Sequence, residues 1–413
     1  MARSTIAEIK DQIAVQSASS TTFTPATADT KKRKREAKLV SRPRHRGPFE
    51  LRGDGLPDER YAEALHTMLR KCRRLVVVVG AGISVGAGIP DFRSSTGLFQ
   101  TVKDDFKLKV SGQSMFDSSV YQDAATTSMF HSMVNTLHTL SQDAKVTKFH
   151  QMLSQLSTDN RLLRLYTQNV DCLEISLSGL ETAVPLPGKA PWPKTIQLHG
   201  GLQKMVCAKC GWMASFDPTV FEEDKIPECN ECKELETVRE VVGKRTQGIG
   251  RLRPRIVLYN EFNPDGEAIG KVTSSDLKAR PDGMLVVGTS LKVPGVRRIV
   301  KEMSSAVHAG SGMVVWINEQ DPPAAKMFEN CFDLILKGDC QEIPGILERW
   351  EESKTSPKRV ASAKKKKTTS VSASGVVSSI TSTTVSEKHR KITDVFKVKK
   401  LAVDRVKSAQ LEK

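Results

Sequence analysis

Five successive apolar residues, Leu75–Val79, run directly into Gly80-Ala81-Gly82, and no polar side chain interrupts the run. A strand of that kind needs cover on both of its faces. The pattern returns in Leu162–Thr167, Thr195–His199, Arg255–Tyr259, Met284–Thr289, Met313–Asn318 and Phe332–Leu336, each bounded by turn residues. Helix-period segments stand between several of these runs. Pro294–Val307 repeats apolar residues at helical spacing and opens on a proline, which suits a first helical turn. The alternation predicts an α/β fold, a doubly wound, Rossmann-like parallel sheet built from all seven runs. Residues 101–150 and 201–250 do not fit that sheet. They predict a smaller lobe, helical in its first part around Met129–Leu140 and organised by cysteines in its second.

The charge of +16 on 413 residues is confined to the two ends. Residues 1–50 carry 11 basic and 5 acidic side chains, residues 351–413 carry 16 and 6, and the stretch between has 36 of each. Both ends are rich in small polar residues and bury too little apolar surface to offset chain entropy, so both are expected to be disordered tails flanking a catalytic domain over 51–350. The lysine clusters Lys31–Lys38 and Lys358–Lys367 fit nuclear import, with weak electrostatic attraction to nucleic acid. With no apolar leader and no apolar run of spanning length, the expected compartment is the nucleus, without a membrane.

Gly-x-Gly after a strand suits the approach of a pyrophosphate to backbone N–H groups at a following helix. A dehydrogenase fingerprint would put a third glycine where Val85 stands, and would end a second strand on an acid soon after. Neither feature is present. The strand Leu162–Thr167 instead leads into Gln168-Asn169-Val170-Asp171, and the next run ends on His199. Strand C-termini are where sheets of this type bind ligands, so these polar residues are the candidate site. Cys207, Cys210, Cys229 and Cys232 have the spacing C-x2-C-x18-C-x2-C, which falls in the zinc-ribbon range. Four thiolates close a tetrahedral shell, so this zinc is expected to be structural, within a module at 207–232. Cys72, Cys172, Cys331 and Cys340 are scattered and read as ordinary thiols.

In order along the chain, "GAGISVGAGIPDFRSSTGLF", "TQNVD", "LHGG", paired cysteines, "GTSLKV" and "IN" resemble the sirtuins, NAD-dependent protein lysine deacylases, over about residues 55–350. "RPRIVLYNEFNP" and "GTSLKVPGVR" look closest to the fungal nuclear subgroup acting on a core lysine of histone H3. The resemblance implies that NAD+ is consumed and that one zinc ion is held. It implies a nicotinamide pocket of Ala81, Ile89, Asp91, Val170 and Asp171, with Phe92 over the reactive carbon and Arg93 positioning the cofactor. Gly80, Gly82, Ser84 and Gly88 would complete the cofactor loop. His199 would be the general base, Asn169 would orient the ribose and an attacking water, and Gln168 would grip a ribose hydroxyl. Gly288, Thr289 and Ser290 would meet phosphate and ribose, Asn318 and Glu319 the adenosine ribose, and Cys340 the adenine. The products would be deacetylated lysine, nicotinamide and 2′-O-acetyl-ADP-ribose, with roles in chromatin silencing and genome stability. Where the usual sirtuin has Phe-Gly-Glu this chain has Tyr259-Asn260-Glu261, which bears on peptide preference.

Two other functions use the same features. Mono-ADP-ribosyl transfer shares the cofactor geometry, and a non-catalytic chromatin or nucleic-acid-binding adaptor would use only the zinc module and the tails. Acetylated histone and nucleosomes are the expected partners. A further expected partner is a sliding clamp, because Ile392, Val395 and Phe396 within residues 389–400 would share one face of a helical turn and resemble a clamp-binding motif. His389 in place of the usual Gln, and Val395 in place of an aromatic, weaken that resemblance; Lys397, Lys399 and Lys400 would favour an acidic clamp surface.

Overall fold

Strands β1 (His45–Glu50), β2 (Leu75–Val79), β3 (Leu162–Thr167), β4 (Thr195–Gln197), β8 (Gly283–Val287), β9 (Met313–Asn318) and β10 (Leu334–Lys337) form one sheet in the order β1-β10-β9-β8-β2-β3-β4. Every neighbouring pair in it is parallel. The computed structural model describes residues 45–51, 58–91, 97–98, 112–222 and 226–355. The basic clusters, the 389–400 motif, Phe92 and Arg93 lie outside the described residues.

The unbroken apolar runs are explained by the two layers that cover the sheet. Val77 and Val79 of β2 pack on one side with Leu65 of α1 (Glu59–Lys71), Phe149 of α3 (Lys148–Thr158) and Trp350 of α7 (Glu342–Thr355). Val76 and Val78 face the other side, against Val272 of α5 (Gly266–Lys278) and Val300 and Met303 of α6 (Pro294–Ala309). All five residues of β2 and all five of β8 are buried. Alternation is absent because neither face meets water.

A second, antiparallel sheet, β6-β5-β7, is made by β5 (Gly200–Cys207), β6 (Met213–Ser215) and β7 (Leu252–Ile256). Its core joins Leu202, Met205 and Ile256 to Phe130, Met133 and Leu137 of α2 (Ala124–Asp143), and to three of the clustered cysteines. The smaller lobe therefore has its own apolar centre. No helix among the described residues is long and apolar enough to cross a membrane.

Three sequence expectations change. Arg255–Tyr259 was assigned to the parallel sheet, but its first residues finish β7, where Cys207 pairs with Leu252 and Val206 with Arg253. Ile256 and Leu258 are buried in the smaller lobe's core, and a short apolar run of this kind reads the same in the sequence whichever sheet buries it. Residues 45–50 were counted with the tail, yet they form β1 at the sheet edge, with Phe49 opposite Leu336 of β10. Pro48 disguises the strand in the sequence, and an edge is the place where a strand tolerates proline. Finally, α3 falls at the end of the 101–150 stretch, but its Phe149, Leu153 and Leu156 belong to the sheet's own layer, so the lobe insertion ends with α2.

At the far end of β3, Arg164 makes a two-pronged ion pair with Asp276 of α5, at 2.9 Å for both nitrogens, and Tyr166 donates to the same carboxylate at 2.7 Å. Arg164 and Asp276 are both buried, so removing one strands the other. Asp276→Ala is expected to lower the unfolding free energy by about 3–5 kcal/mol in chemical denaturation. A loss below about 1 kcal/mol would mean that the pair does not tie α5 to the sheet.

Candidate active site

The chain passes from β2 to β3 on one side, and β8 returns to the other side of β2. That reversal leaves a crevice beyond the C-terminal ends of β2 and β8, the usual ligand position in such sheets. A cavity of about 1530 Å3 opens there. Gly80, Ala81, Gly82 and Asp91 line it from the β2 side, and Gly288, Thr289 and Ser290 from the end of β8. Gln168 and Val170 follow β3, Asn318 and Glu319 end β9, and Cys340 follows β10. His199 and Tyr259–Glu261 complete the wall from the junction between the lobes.

The glycines serve packing here. Gly82 N–H donates to the Gly288 carbonyl at 2.9 Å, and Gly80 N–H to Val287 at 3.1 Å. A Cβ on Gly82 would lie 2.6 Å from the Gly288 Cα, and Gly288 itself has φ +59°. These two turns touch backbone to backbone. The expected helix with free N–H groups is replaced by two short 3-10 turns, Ala81–Ile83 and Val85–Ala87, and Ile83 and Ser84 donate back to Gly80 and Ala81. Gly88 closes the second turn at φ 89°, and Ile89, buried beside it, donates its N–H to Ser84.

Gln168 is tied across the crevice. Its Nε2 donates to the Val79 carbonyl at 3.1 Å and to Thr289 Oγ1 at 2.9 Å. His199 Nδ1 lies 3.0 Å from the Gln168 carbonyl. A carbonyl can only accept, so the hydrogen sits on Nδ1 and Nε2 is the basic nitrogen.

Beneath this wall lies a buried polar layer. Asn169 Nδ2 donates to Glu174 Oε1 at 2.9 Å and lies 3.4 Å from Ser84 Oγ, while Thr167 Oγ1 donates to Glu174 Oε1 at 2.8 Å. Ser84 in turn hydrogen-bonds Asp171, whose Oδ1 also accepts from Leu173 N–H at 2.9 Å. Burial outweighs these bonds and pushes the Asp171 carboxyl above the usual carboxylate range. Glu174 is pushed up as well, by burial and then by the neighbouring Asp171 charge. Asp171 also lines a separate cavity of about 350 Å3 on the lobe side, with His138, Cys172 and Phe216. Burial pushes the Cys340 thiol well up, so Cys340 offers shape and backbone and no thiolate.

The structure thus gathers most of the anticipated residues on one wall, sets Ser84 and Asn169 in a layer behind it, and leaves Gly88, Ile89 and Asp171 off that wall, Asp171 lining the smaller cavity instead. Sequence reading passed over Glu174, Phe116, Trp192 and Asn263. Glu174 carries no usable signal in the sequence, since a carboxylate is ordinarily exposed and its burial appears only in the fold. The Tyr259-Asn260-Glu261 departure also has a physical form. Asn260 stands at φ 61° and donates from Nδ2 to Asp117 Oδ2 at 2.6 Å, while Tyr259 N–H donates to Phe116 and Ser118 N–H to Tyr259. Glu261 takes two 2.9 Å contacts from Arg253, whose guanidinium lies 4.5 Å from the centre of the Tyr121 ring. The cavity rim is therefore clamped to residues 116–121.

Away from the cavity, the thiol sulfurs of Cys207, Cys210, Cys229 and Cys232 all lie within 4.8 Å of one another, with Cys207–Cys232 at 3.7 Å and Cys210–Cys229 at 3.8 Å. A tetrahedral shell with Zn–S near 2.3 Å sets sulfurs about 3.8 Å apart, so the four fit zinc with no open position. None of them lines the large cavity.

A reversal-point crevice ringed by Asn, Gln and His, with a four-thiol module alongside, defines a sirtuin-type protein. The chain belongs to the Sir2 family, whose model matches residues 80–295. It is 48% identical over 316 residues to the NAD-dependent protein deacetylase hst4 of Schizosaccharomyces pombe, covering 75% of this chain and 76% of that protein. To hst4 of Emericella nidulans it is 45% identical over 379 residues, 84% of this chain but 64% of the relative's length. The NAD-dependent histone deacetylase HST4 of Saccharomyces cerevisiae is 45% identical over 299 residues, covering 70% of this chain and 79% of that protein. A solved Sir2 homologue in complex with ADP-ribose shares the fold at TM-score 0.51 and 20% identity, over 71% of this chain and 98% of that one.

Two outcomes check the site. Cys207→Ser should lose the single zinc and melt at a lower temperature, because structural zinc contributes directly to folding free energy. Equal melting of metal-free and zinc-loaded protein would refute that role. Asn260→Val, β-branched at positive φ, should lose on the order of 1–3 kcal/mol in chemical denaturation, while Asn260→Gly stays near wild type. Equal loss in both would assign the effect to the Asp117 contact alone.

Proposed function

We propose that the protein is an NAD-dependent protein-lysine deacetylase acting on acetylated histones, with a core acetyl-lysine of histone H3 as its preferred site. The observation that carries this reading is His199. Its ring is pinned through Nδ1 by the Gln168 carbonyl and stands on the wall of the cavity, one buried layer away from Asn169. The cavity is large enough for a dinucleotide. NAD+, when bound, supplies a ribose carbon activated by its bond to nicotinamide, which the acetyl oxygen can capture.

The chain's own residues do the rest. His199 Nε2 takes a proton from a ribose hydroxyl as it attacks the captured acetyl group, and Nδ1 stays anchored as charge develops on the ring. Gln168 holds the ribose edge through its amide oxygen and Thr289 through its hydroxyl, since both hydrogens of the Gln168 NH2 group are committed to Val79 and Thr289. Ala81, Ile89, Asp91, Val170 and Asp171 enclose the nicotinamide, with Phe92 and Arg93 acting from outside the described residues. Ser290, Asn318, Glu319 and Cys340 take the adenosine end. With one water consumed to release the lysine amine, the products would be nicotinamide, deacetylated lysine and 2′-O-acetyl-ADP-ribose. Exposed Phe262, beside the clamped Tyr259–Glu261 rim, meets the substrate chain.

The domain plan of residues 51–350 between two basic tails is extended at its start to include β1. The tail clusters Lys31–Lys38 and Lys358–Lys367 support nuclear action on nucleosomes, and the 389–400 motif supports a clamp contact. Silencing and genome stability are the roles that such an activity would serve.

Incubation with acetylated histone H3 and NAD+, followed by mass spectrometry, should show NAD-dependent loss of 42-dalton acetyl groups, roughly the mass of one acetyl substituent, with no ADP-ribose adduct. His199→Ala and Asn169→Ala should each lose about a hundredfold or more in turnover while retaining zinc. Near wild-type turnover in His199→Ala would remove the proposed base. ADP-ribose left on protein would favour the transferase reading.

A further inference from the structure

We propose that Glu174 is a positioning residue for this reaction: it locks the Asn169 amide with its NH2 group turned inward, leaving Oδ1 as the atom available to a ribose hydroxyl or an attacking water. The inference rests on the functional reading above and deepens it. Glu174 has no solvent exposure and sits in the short turn after Asp171, away from the cavity wall.

The geometry allows Asn169 one orientation. Glu174 Oε1 already accepts from Thr167 Oγ1 at 2.8 Å, and the Asn169 contact at 2.9 Å goes to that same oxygen. An oxygen in that position attracts a second donor and repels the amide carbonyl. Thr167 also accepts from Asn169 N–H at 3.1 Å, so backbone and side chain of Asn169 are fixed by one Thr–Glu pair. Ser84, 3.4 Å from Nδ2, sits on the same donor edge of the amide. Asn169 Oδ1 has no hydrogen-bond partner among the described residues, although its residue is 1% exposed. A buried acceptor without a partner costs stability and is worth attention at a functional site.

The alternative is a purely structural glutamate, and burial argues against it. Packing alone would favour an apolar side chain of similar volume, since an acid here lies beside Asp171 and both carboxyls are pushed up by burial. The neutral acid that such an environment favours can still accept at Oε1, and glutamine reproduces that arrangement.

The test uses the full-length, zinc-loaded protein with Glu174→Gln and Glu174→Met, reading turnover of an acetyl-lysine histone peptide, ADP-ribose affinity by calorimetry, and melting temperature. Glu174→Gln should keep turnover within about threefold, and Glu174→Met should lose about tenfold or more, the scale of a misplaced reacting group. Glu174→Met should also weaken ADP-ribose binding about fivefold in the wild-type background and leave it unchanged in an Asn169→Ala background. That non-additivity separates positioning from general destabilisation. Wild-type behaviour of Glu174→Met, or an equal loss of ADP-ribose affinity with and without Asn169, overturns the proposal. If Glu174→Met fails to fold, Glu174→Asp withdraws the carboxyl by one methylene and is read in the same cycle. A wild-type protein that leaves the acetyl-peptide intact would remove the functional reading, and the ADP-ribose cycle would still decide the role of Glu174.

Discussion

The contact between Gly82 and Gly288 governs this molecule. Two turns from opposite halves of the sheet meet there backbone to backbone, with no room for a Cβ on either. Their hydrogen bonds occupy the N–H groups of Gly80, Gly82, Ile83 and Ser84 within the protein itself. Gln168 extends the same tie to β3 through Val79 and Thr289. Three strand ends, those of β2, β8 and β3, thus act as one rigid platform. Rigidity of that kind is what a reaction that depends on orientation needs.

The second lobe reaches the platform through β5. His199 stands immediately before that strand and Cys207 at its last residue, eight residues of strand apart. At about 3.3 Å per residue this is roughly 25 Å, too far for zinc to touch the chemistry. Yet Val257 N–H donates to the His199 carbonyl while the ring binds Gln168, so the residue is held by the lobe through its backbone and by the sheet through its side chain. Gly200, at φ +70°, lets β5 turn there, because a Cβ would collide with the Arg255 carbonyl. β5 thus runs from the His199 end of the cavity to the first cysteine of the four-thiol module.

Much of this was legible in the residues. Unbroken apolar runs such as Leu75–Val79 announced a sheet covered on both faces, and the paired cysteines announced their own cluster. Gln168, Asn169 and His199 stand out in the sequence because polar residues at strand ends have few structural reasons to be there. What stayed hidden depends on tertiary partners. β1 contains Gly47 and Pro48 and is recognisable only once β10 lies beside it. The run at Arg255 carries no mark that distinguishes the small sheet from the large one. At Gly82 the sequence shows only the absence of a side chain, and the packing partner that requires it, Gly288, is some two hundred residues away.

The buried polar layer then acquires a physical rationale. Ser84, Thr167, Asn169, Asp171 and Glu174 occupy space that valine or leucine could fill, and two of their acceptors, Asn169 Oδ1 and Glu174 Oε2, have no partner among the described residues. Such a cluster lowers stability relative to an apolar core. The fold can tolerate that because the apolar cores on the two faces of the large sheet and in the smaller lobe supply most of the burial. In water, Asn169 would sample both amide orientations; here Glu174 and Thr167 leave it one. The stability given up at this cluster fixes one orientation of the Asn169 amide, and fixing orientation in advance is the general way in which a fold converts stability into pre-organisation.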